Sequence, residues 1–146
     1  MAGMVKRTRE AQDEGDSYSP LPLCLVDDLM SGSGAAQGYR HNDDILSLFT
    51  TSRHAGGVVL LLTQSYTMLN RSARLSATHL GIWAVQMTQW TQVRDELAGR
   101  QGMIRDDLDP AFATATQKPH GFLWLAYNAP VGSKMWSGFT KRLLLK

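Results

Sequence analysis

Two adjacent carboxylates and one amide side chain follow short apolar segments of this sequence. Asp27 and Asp28 come directly after the apolar run 23–26, and Gln64 comes just after the apolar run 58–62. Carboxylate oxygens are ligands that Mg²⁺ prefers, and polar side chains beside a nucleotide can orient the attacking water. These residue types suit metal-assisted phosphate chemistry. Asp27 would hold the metal, Asp28 would polarise the attacking water, and Gln64 would hydrogen-bond that water or the terminal phosphate. Acid pairs after strands also cap turns, so that simpler role stays open.

Two strands and a connecting helix are needed to position these side chains. Neither apolar run alternates with polar residues, so both predict strands that are buried on both faces. Residues 43–49 are amphipathic and long enough for a short crossover helix, with Asn42 or Asp43 as its cap. A strand–helix–strand unit joins parallel strands by a right-handed connection, and ligand sites lie beyond the carboxyl ends of such strands. We therefore expect Asp27 and Gln64 at one edge of a sheet.

The rest of the sequence predicts further strands and helices. Gly99 is suited to end a helix, Pro110 should divide or restart one, and Ser65 can cap the short segment 66–73. The tail 134–146 fits a strand or a helix equally well. The four longer predicted elements are strands over 80–85 and 121–127 and helices over 88–98 and 104–114.

Composition excludes several classes of protein. Of the 146 residues, 43% are hydrophobic and 19% charged, which is typical of a globular domain rather than a disordered chain. No apolar run approaches the roughly 20 residues needed to span a bilayer, so no membrane span is expected. The net charge of +2 is too small to indicate nucleic-acid binding by itself. The basic groups near Arg71 and in the tail fit a solvated surface or phosphate contact. Cys24 has no partner for an internal disulfide and is expected to be a small buried residue.

Two runs of residues resemble a known family. Leu-Cys-Leu-Val-Asp-Asp-Leu, followed by Phe49-Thr-Thr-Ser-Arg-His-Ala-Gly-Gly-Val-Val-Leu-Leu-Leu-Thr-Gln-Ser-Tyr, resembles the poxvirus-type viral DNA-packaging ATPases, which belong to the FtsK/HerA group of P-loop NTPases. The resemblance covers most of the chain from Leu23 onward. It implies an α/β fold, namely a partial RecA-like P-loop NTPase core with a mainly parallel sheet flanked by helices. That domain would span residues 20–146, after a flexible N-terminal arm over 1–19.

The resemblance also implies roles for the polar residues at the strand ends. Asp27 and Asp28 match the Walker B acids, with Asp27 on Mg²⁺ and in the nucleotide site and Asp28 as a catalytic residue. Gln64 matches the sensor-like polar residue of the following strand. The implied cofactors are ATP and Mg²⁺.

Basic residues of the family match three positions of this sequence. Arg53 and His54 match an Arg-His pair at a subunit boundary, which makes Arg53 a candidate nucleotide-binding residue. Arg74 matches an Arg after the Gln strand and is a candidate catalytic finger acting on a neighbouring subunit, although Arg71 is close enough to compete. The simpler reading of each Arg is a surface salt bridge worth under about 1 kcal/mol. Ser76 departs from the Asn that the family usually has after its Arg.

The phosphate-binding motif G-x-x-x-x-G-K-[ST] does not occur in the sequence. The chain therefore looks like the C-terminal half of such an ATPase, carrying Walker B without Walker A. In the family the P-loop strand lies between the Walker B strand and the Gln strand. Without it, the two strands close up, or another chain fills the gap, or the sequence is a truncated or split form.

Two functions follow as expectations. The first is a genome-packaging ATPase that couples ATP hydrolysis to translocation of double-stranded DNA into a capsid, with the isolated chain inactive for want of a P-loop. Its partners would be double-stranded DNA and either a homo-oligomeric ring or a complementing chain that supplies the P-loop. Its location would be the infected host cell, in the cytoplasm or a viral factory, or the virion. The alternative is a non-catalytic P-loop-like module that binds a protein partner or nucleic acid.

Overall fold

The computed structural model describes residues 23–27, 43–100, 103–130 and 132–144. The predicted arm over 1–19 and the acid Asp28 lie outside these residues. The chain divides into two compact units, Met1–Ser76 and Ala77–Lys146, and the predicted domain over 20–146 includes residues of both.

The first unit contains one strand–helix–strand motif followed by short helical segments. Its α-helix α1 lies between its two strands, as the sequence predicts, and contacts a second short α-helix, α2. The described elements are β1 (Leu23–Val26), α1 (Asp43–Thr51), a 3₁₀ segment (Ser52–Ala55), β2 (Val58–Leu61), a second 3₁₀ segment (Tyr66–Met68) and α2 (Arg71–Ser76).

β1 and β2 are hydrogen-bonded neighbours in a parallel pair. Leu23 lies opposite Val58, and Val26 lies opposite Leu61, so the two strands start and end together. The prediction of parallel strands joined through a helix is therefore confirmed. The two strands pair with each other directly along their whole length.

The predicted burial of these strands on both faces is wrong within the described residues. Exposure alternates along each strand, and the side chains on one face are about half exposed. This open face consists of Leu23 (61% exposed), Leu25 (56%), Val58 (50%) and Leu60 (46%). Apolar residues at every position reflect strand propensity here, while the alternating pleat leaves one side uncovered.

The second unit is a four-stranded antiparallel sheet with two helices. Its strand order is β3-β4-β5-β6, and every neighbouring pair is antiparallel. The short connections between β4, β5 and β6 reverse the chain, which is why these strands cannot run parallel. The elements are β3 (His79–Trp83), α3 (Met87–Leu97), α4 (Arg105–Ala115), β4 (Phe122–Ala126), β5 (Met135–Ser137) and β6 (Lys141–Arg142).

The core of the second unit lies between one face of this sheet and the two helices. α4 packs against β4, β5 and α3. Trp90 of α3 stacks on Phe112 of α4, with ring centroids 4.0 Å apart and planes 7° apart. The fully buried large side chains are Tyr127, Leu97, Met103, Leu108, Leu123, Leu125 and Met135.

Helix boundaries agree with the sequence where local chemistry decides them. α3 ends at Leu97, and Gly99 follows with φ +81°, a backbone conformation that glycine adopts without steric cost. Pro110, by contrast, does not divide a helix: α4 runs unbroken from Arg105 to Ala115. A proline removes one backbone donor, and both Pro110 and Asp106, four residues earlier, are exposed, so water can satisfy the carbonyl of Asp106.

Other predictions shift by a few residues or change partner. Ser65 makes no side-chain cap; instead the side chain of Asn70 accepts a hydrogen bond from the backbone N–H of Ser72 at 2.8 Å, at the start of α2. The undecided tail forms the strands β5 and β6. Cys24 is half-buried rather than fully buried.

The mixed α/β class is confirmed, but the mainly parallel sheet is not found in the part of the chain that the structure describes. Only β1 and β2 are parallel there, and the larger sheet is antiparallel. None of the described helices has the length and apolar character needed to cross a bilayer.

Candidate functional site

The carboxyl ends of β1 and β2 bring the predicted strand-end residues to one edge. The backbone N–H of Leu62 donates a hydrogen bond to the carbonyl of Val26 at 2.9 Å, which extends the parallel pairing by one step beyond β2. Asp27 follows Val26 directly, and Gln64 stands two residues after Leu62. The two residues expected at one sheet edge therefore follow strand ends that are hydrogen-bonded to each other.

A tight turn follows β2 and carries Gln64. The hydroxyl of Thr63 donates to the carbonyl of Ser65 at 3.1 Å and accepts from the backbone N–H of Ser65 at 3.2 Å. Short hydroxyl–backbone bonds of this kind fix a turn locally. The turn leaves Gln64 exposed, as Asp27 also is. Both polar side chains are therefore accessible to a ligand in solvent at the end of the parallel pair.

The residues at this edge fit a hydrated Mg²⁺ ion better than a tightly enclosed metal. Among the described side chains there is no group of three or more His, Cys, Asp or Glu that could hold a metal ion. Mg²⁺ commonly binds through one or two carboxylates and keeps several waters, with phosphate oxygens completing its shell. Asp27 fits that single-carboxylate role. Asp28 would be the second acid, and it lies outside the described residues.

The guanidinium of Arg74 is held within its own unit. It donates to the carbonyl oxygens of Leu69 and, at 3.4 Å, Thr67, and it lies over the ring of Tyr66 at 5.0 Å from the ring centroid. Arg74 is half-buried, whereas Arg71, at the start of α2, is exposed. To reach another subunit, Arg74 would first have to give up these contacts, and Arg71 would not.

Arg53 comes before β2 in the chain, whereas Gln64 follows that strand. Arg53 lies in the 3₁₀ segment Ser52–Ala55, which precedes β2, and the backbone N–H of Gly57 donates to the carbonyl of Ser52 at 2.8 Å. Arg53 is therefore at the amino end of β2, and the length of the strand, about 10 Å, separates it from the carboxyl end. The role predicted for Arg53 at a subunit boundary involves a second copy of this chain.

An array of aromatic rings on the antiparallel sheet was not predicted from the sequence. We call it the aromatic face, and it consists of His79, Trp83, Phe122, Trp124 and Phe139. These residues come from β3, β4 and the turn before β6, which is why local sequence patterns identified only the aromatic content of 121–127. A period-2 count places His79 with Trp83 on one side of β3 and Phe122 with Trp124 on one side of β4, but only the pairing of the two strands puts all four on the same face.

The rings of the aromatic face are in continuous contact. Trp83 stacks on Phe122 with centroids 4.8 Å apart, and His79 stacks on Trp124 at 5.3 Å. Phe139 joins the two pairs edge-on, at 4.9 Å from Phe122 and 5.0 Å from Trp124. Aromatic pairs at these separations are mutually stabilising.

Comparison of the chain with protein-family models, with curated proteins and with solved structures finds no match. Function must therefore be inferred from the residues themselves.

Proposed function

We propose that this chain is a component of a viral genome-packaging ATPase, contributing the metal-holding acids and the polar residue of the adjacent strand. The observation that carries the proposal is the parallel pairing of β1 with β2, whose hydrogen-bonded carboxyl ends lead directly to Asp27 and to Gln64. Ligands of open parallel sheets bind at this end of the strands. The polar residue types at the edge suit a magnesium nucleotide.

Each residue has a separate role in the proposal. Asp27 holds Mg²⁺, Asp28 takes a hydrogen bond from the attacking water, and Gln64 orients that water or the terminal phosphate. Mg²⁺-ATP, when bound, supplies the phosphoryl group and the cationic charge that offsets the carboxylates. Asp27 and Gln64 are both exposed, so a ligand in solvent can reach the two positions.

The phosphates need a cradle that the printed sequence does not contain. The proposal therefore assigns the P-loop to residues outside this sequence or to a complementing chain, and it predicts negligible hydrolysis by this chain alone. Assembly as a ring, a charge-compensating Arg74 or Arg71 acting in trans, and Arg53 at the subunit boundary belong to the same proposal. So do double-stranded DNA as the translocated partner and a location in the infected cell or the virion.

A fluorescent ATP analogue tests the edge directly. We expect Mg²⁺-dependent binding that Asp27→Asn weakens about tenfold, because a hydrogen bond or ion contact to a charged group contributes roughly 1.5–3 kcal/mol. The matched control is Asp106→Asn, which makes the same chemical change at an exposed position of α4 and should bind like wild type. Equal affinities of wild type and Asp27→Asn would contradict the proposal.

The second candidate is a non-catalytic module that binds a protein partner. The observation that favours it is the open apolar face of β1 and β2, since parallel sheets are normally covered on both faces. The same titration separates the two candidates. A non-catalytic module gives no nucleotide binding that depends on both Mg²⁺ and Asp27.

A further inference from the structure

We propose that the aromatic face binds single-stranded nucleic acid, with unpaired bases stacking on its rings and phosphates contacting basic side chains at its rim. The site lies wholly in the second unit. It does not depend on the nucleotide site proposed for the first unit, and double-stranded DNA is not its ligand.

Two rings of the aromatic face expose much of their surface to solvent. Phe139 is 68% exposed and Trp83 is 48% exposed, although both are large apolar side chains. Gly81 lies opposite Trp124 on the same side of the sheet, and a Cβ at this position would come within 3.3 Å of the Trp83 ring and 3.4 Å of the Trp124 ring. The absence of a side chain at Gly81 therefore lets both indoles lie low across the sheet. Stacked bases need such accessible ring surfaces.

The array is long enough for more than one base. His79 and Trp83 stand at the two ends of β3, separated by about 13 Å along an extended strand. The contacts from Trp83 through Phe122, Phe139 and Trp124 to His79 are unbroken over that distance. Aromatic residues on an antiparallel sheet of this size can stack about two or three bases.

Charge is segregated across the second unit in a way that suits a polyanion. All five of its carboxylate side chains lie in the two helices. α4 packs on β4 and β5, whose buried residues Leu123, Leu125 and Met135 lie on the face opposite the aromatic rings, and α3 packs on α4. The stretches 77–94 and 110–146, which contain all four strands, have no Asp or Glu. The acidic residues are Asp95, Glu96, Asp106, Asp107 and Asp109.

Basic side chains lie at both edge strands of the sheet, β3 and β6. A cavity of about 400 Å³ beside Trp83 is lined by Lys118 and His120, both exposed. On the far side, Arg142 pairs in register with Trp136 of β5, and its guanidinium reaches the hydroxyl of Ser133 at 3.4 Å. Phosphates flanking the stacked bases would meet Lys118 at the β3 edge of the sheet and Arg142 at the β6 edge.

An apolar protein partner would also cover exposed rings, but the charge at the rim favours nucleic acid. An apolar surface gains nothing from a rim that contains cations and no carboxylates, whereas a phosphate backbone does. Base stacking uses the planar surface of each ring, so an aliphatic side chain of similar size cannot replace it. Duplex DNA does not offer unpaired bases and should bind this face weakly.

The test uses fluorescence anisotropy with the full chain and a labelled oligodeoxythymidine of about 12 nucleotides. We expect tighter binding of this strand than of a duplex of the same length, with quenching of tryptophan fluorescence. Phe139→Ala should weaken binding about tenfold, since stacking on one ring accounts for roughly that factor. Arg142→Gln should reduce the slope of log affinity against log salt by about 0.7, the value for one phosphate contact on a single strand.

Conservative variants at the same position separate stacking from general apolar contact. Phe139→Tyr keeps a ring and should bind like wild type, whereas Phe139→Leu should bind as weakly as Phe139→Ala. Ile104→Ala, which shortens an apolar side chain that is 56% exposed outside the aromatic face, is the matched control and should leave binding unchanged. Thermal unfolding monitored by circular dichroism checks that all variants fold.

Three results would overturn the proposal. The first is undetectable binding of the single strand by a folded wild-type chain at low salt. The second is equal binding of single strand and duplex. The third is full binding by Phe139→Leu together with self-association that Phe139→Ala abolishes, which would identify the face as a protein-docking surface.

Discussion

Asp109 joins the two helices of the second unit, and its removal gives the sharpest test of how that unit is held together. Its carboxylate accepts a hydrogen bond from the indole N–H of Trp90 at 2.8 Å and a second from the guanidinium of Arg94 at 3.0 Å. Trp90 is only 2% exposed, so its N–H has little access to water if the acceptor is lost. Asp109→Ala removes both contacts, whereas Asp109→Asn keeps an oxygen for the indole and removes the charge.

The two substitutions should differ because the two contacts differ in burial. Leaving the buried indole N–H without a partner costs roughly 1–3 kcal/mol. The ion pair with Arg94 contributes under about 1 kcal/mol, because the side chain of Asp109 is 48% exposed and solvent screens the charges. We therefore expect Asp109→Ala to lower the free energy of unfolding by about 2–3 kcal/mol. Asp109→Asn should lower it by about 1 kcal/mol or less.

Urea denaturation measures both free energies of unfolding. Far-UV circular dichroism is the probe, because its signal reports the backbone and not the environment of Trp90, which the substitutions change. Asp106→Ala is the control: it also removes an exposed carboxylate from α4, in the first turn of the helix, and should cost at most about 1 kcal/mol. Equal losses for Asp109→Ala and Asp109→Asn would refute the reasoning, since the buried hydrogen bond would then contribute nothing beyond charge.

Two further predictions concern the same unit. Gly121→Ala should destabilise it by roughly 1–3 kcal/mol in urea denaturation, because a Cβ there would clash with the carbonyl oxygen of Ala115 and lie 2.9 Å from that of Lys118; unchanged stability would show that this turn can shift freely. Burial raises the pKa of Tyr127 above its usual value, with the cation of Arg100 over its ring partly offsetting the effect. The unfolded chain therefore loses this proton first, so stability should be intact below pH about 10 and fall by up to about 1.4 kcal/mol per pH unit above it. Tyr127→Phe should lack that component when free energies of unfolding are compared across this range, and an identical pH profile would contradict it.

Local chemistry explains which parts of the fold could be predicted from the sequence. The apolar runs that form β1 and β2 end at polar residues, and the amphipathic segment between them can only be a connection, so the parallel unit followed directly. Gly99 marks the end of α3 because a left-handed backbone favours glycine. Each strand, helix and helix end named here is decided by residues within a few positions of one another, and the order of the elements then favours the parallel pairing.

Features that depend on distant contacts could not be predicted in the same way. An apolar strand looks identical in sequence whether one face or both are covered, and Leu23 and Leu25 are exposed although their residue types suggested a core. Pro110 was expected to interrupt a helix, but packing of α4 against β4 and β5 outweighs one missing hydrogen bond. Pairing of β3 with β4 across two helices, which creates the aromatic face, has no local sequence pattern.

The two units differ in how far their own residues bury a core, and this bears on the proposed ATPase. Among the described apolar residues that are buried, only Ala73 belongs to the first unit, and all the others belong to the second. The strands that lead to Asp27 and Gln64 thus expose one face, while catalysis of phosphoryl transfer depends on rigid positioning. A chain that covers the open face of β1 and β2 would have two effects: it would remove apolar surface from water, and it would hold this edge in place. If such a chain also carries the phosphate-binding loop that the proposed ATPase needs, a single binding event would bury the open face and add the phosphate-binding residues.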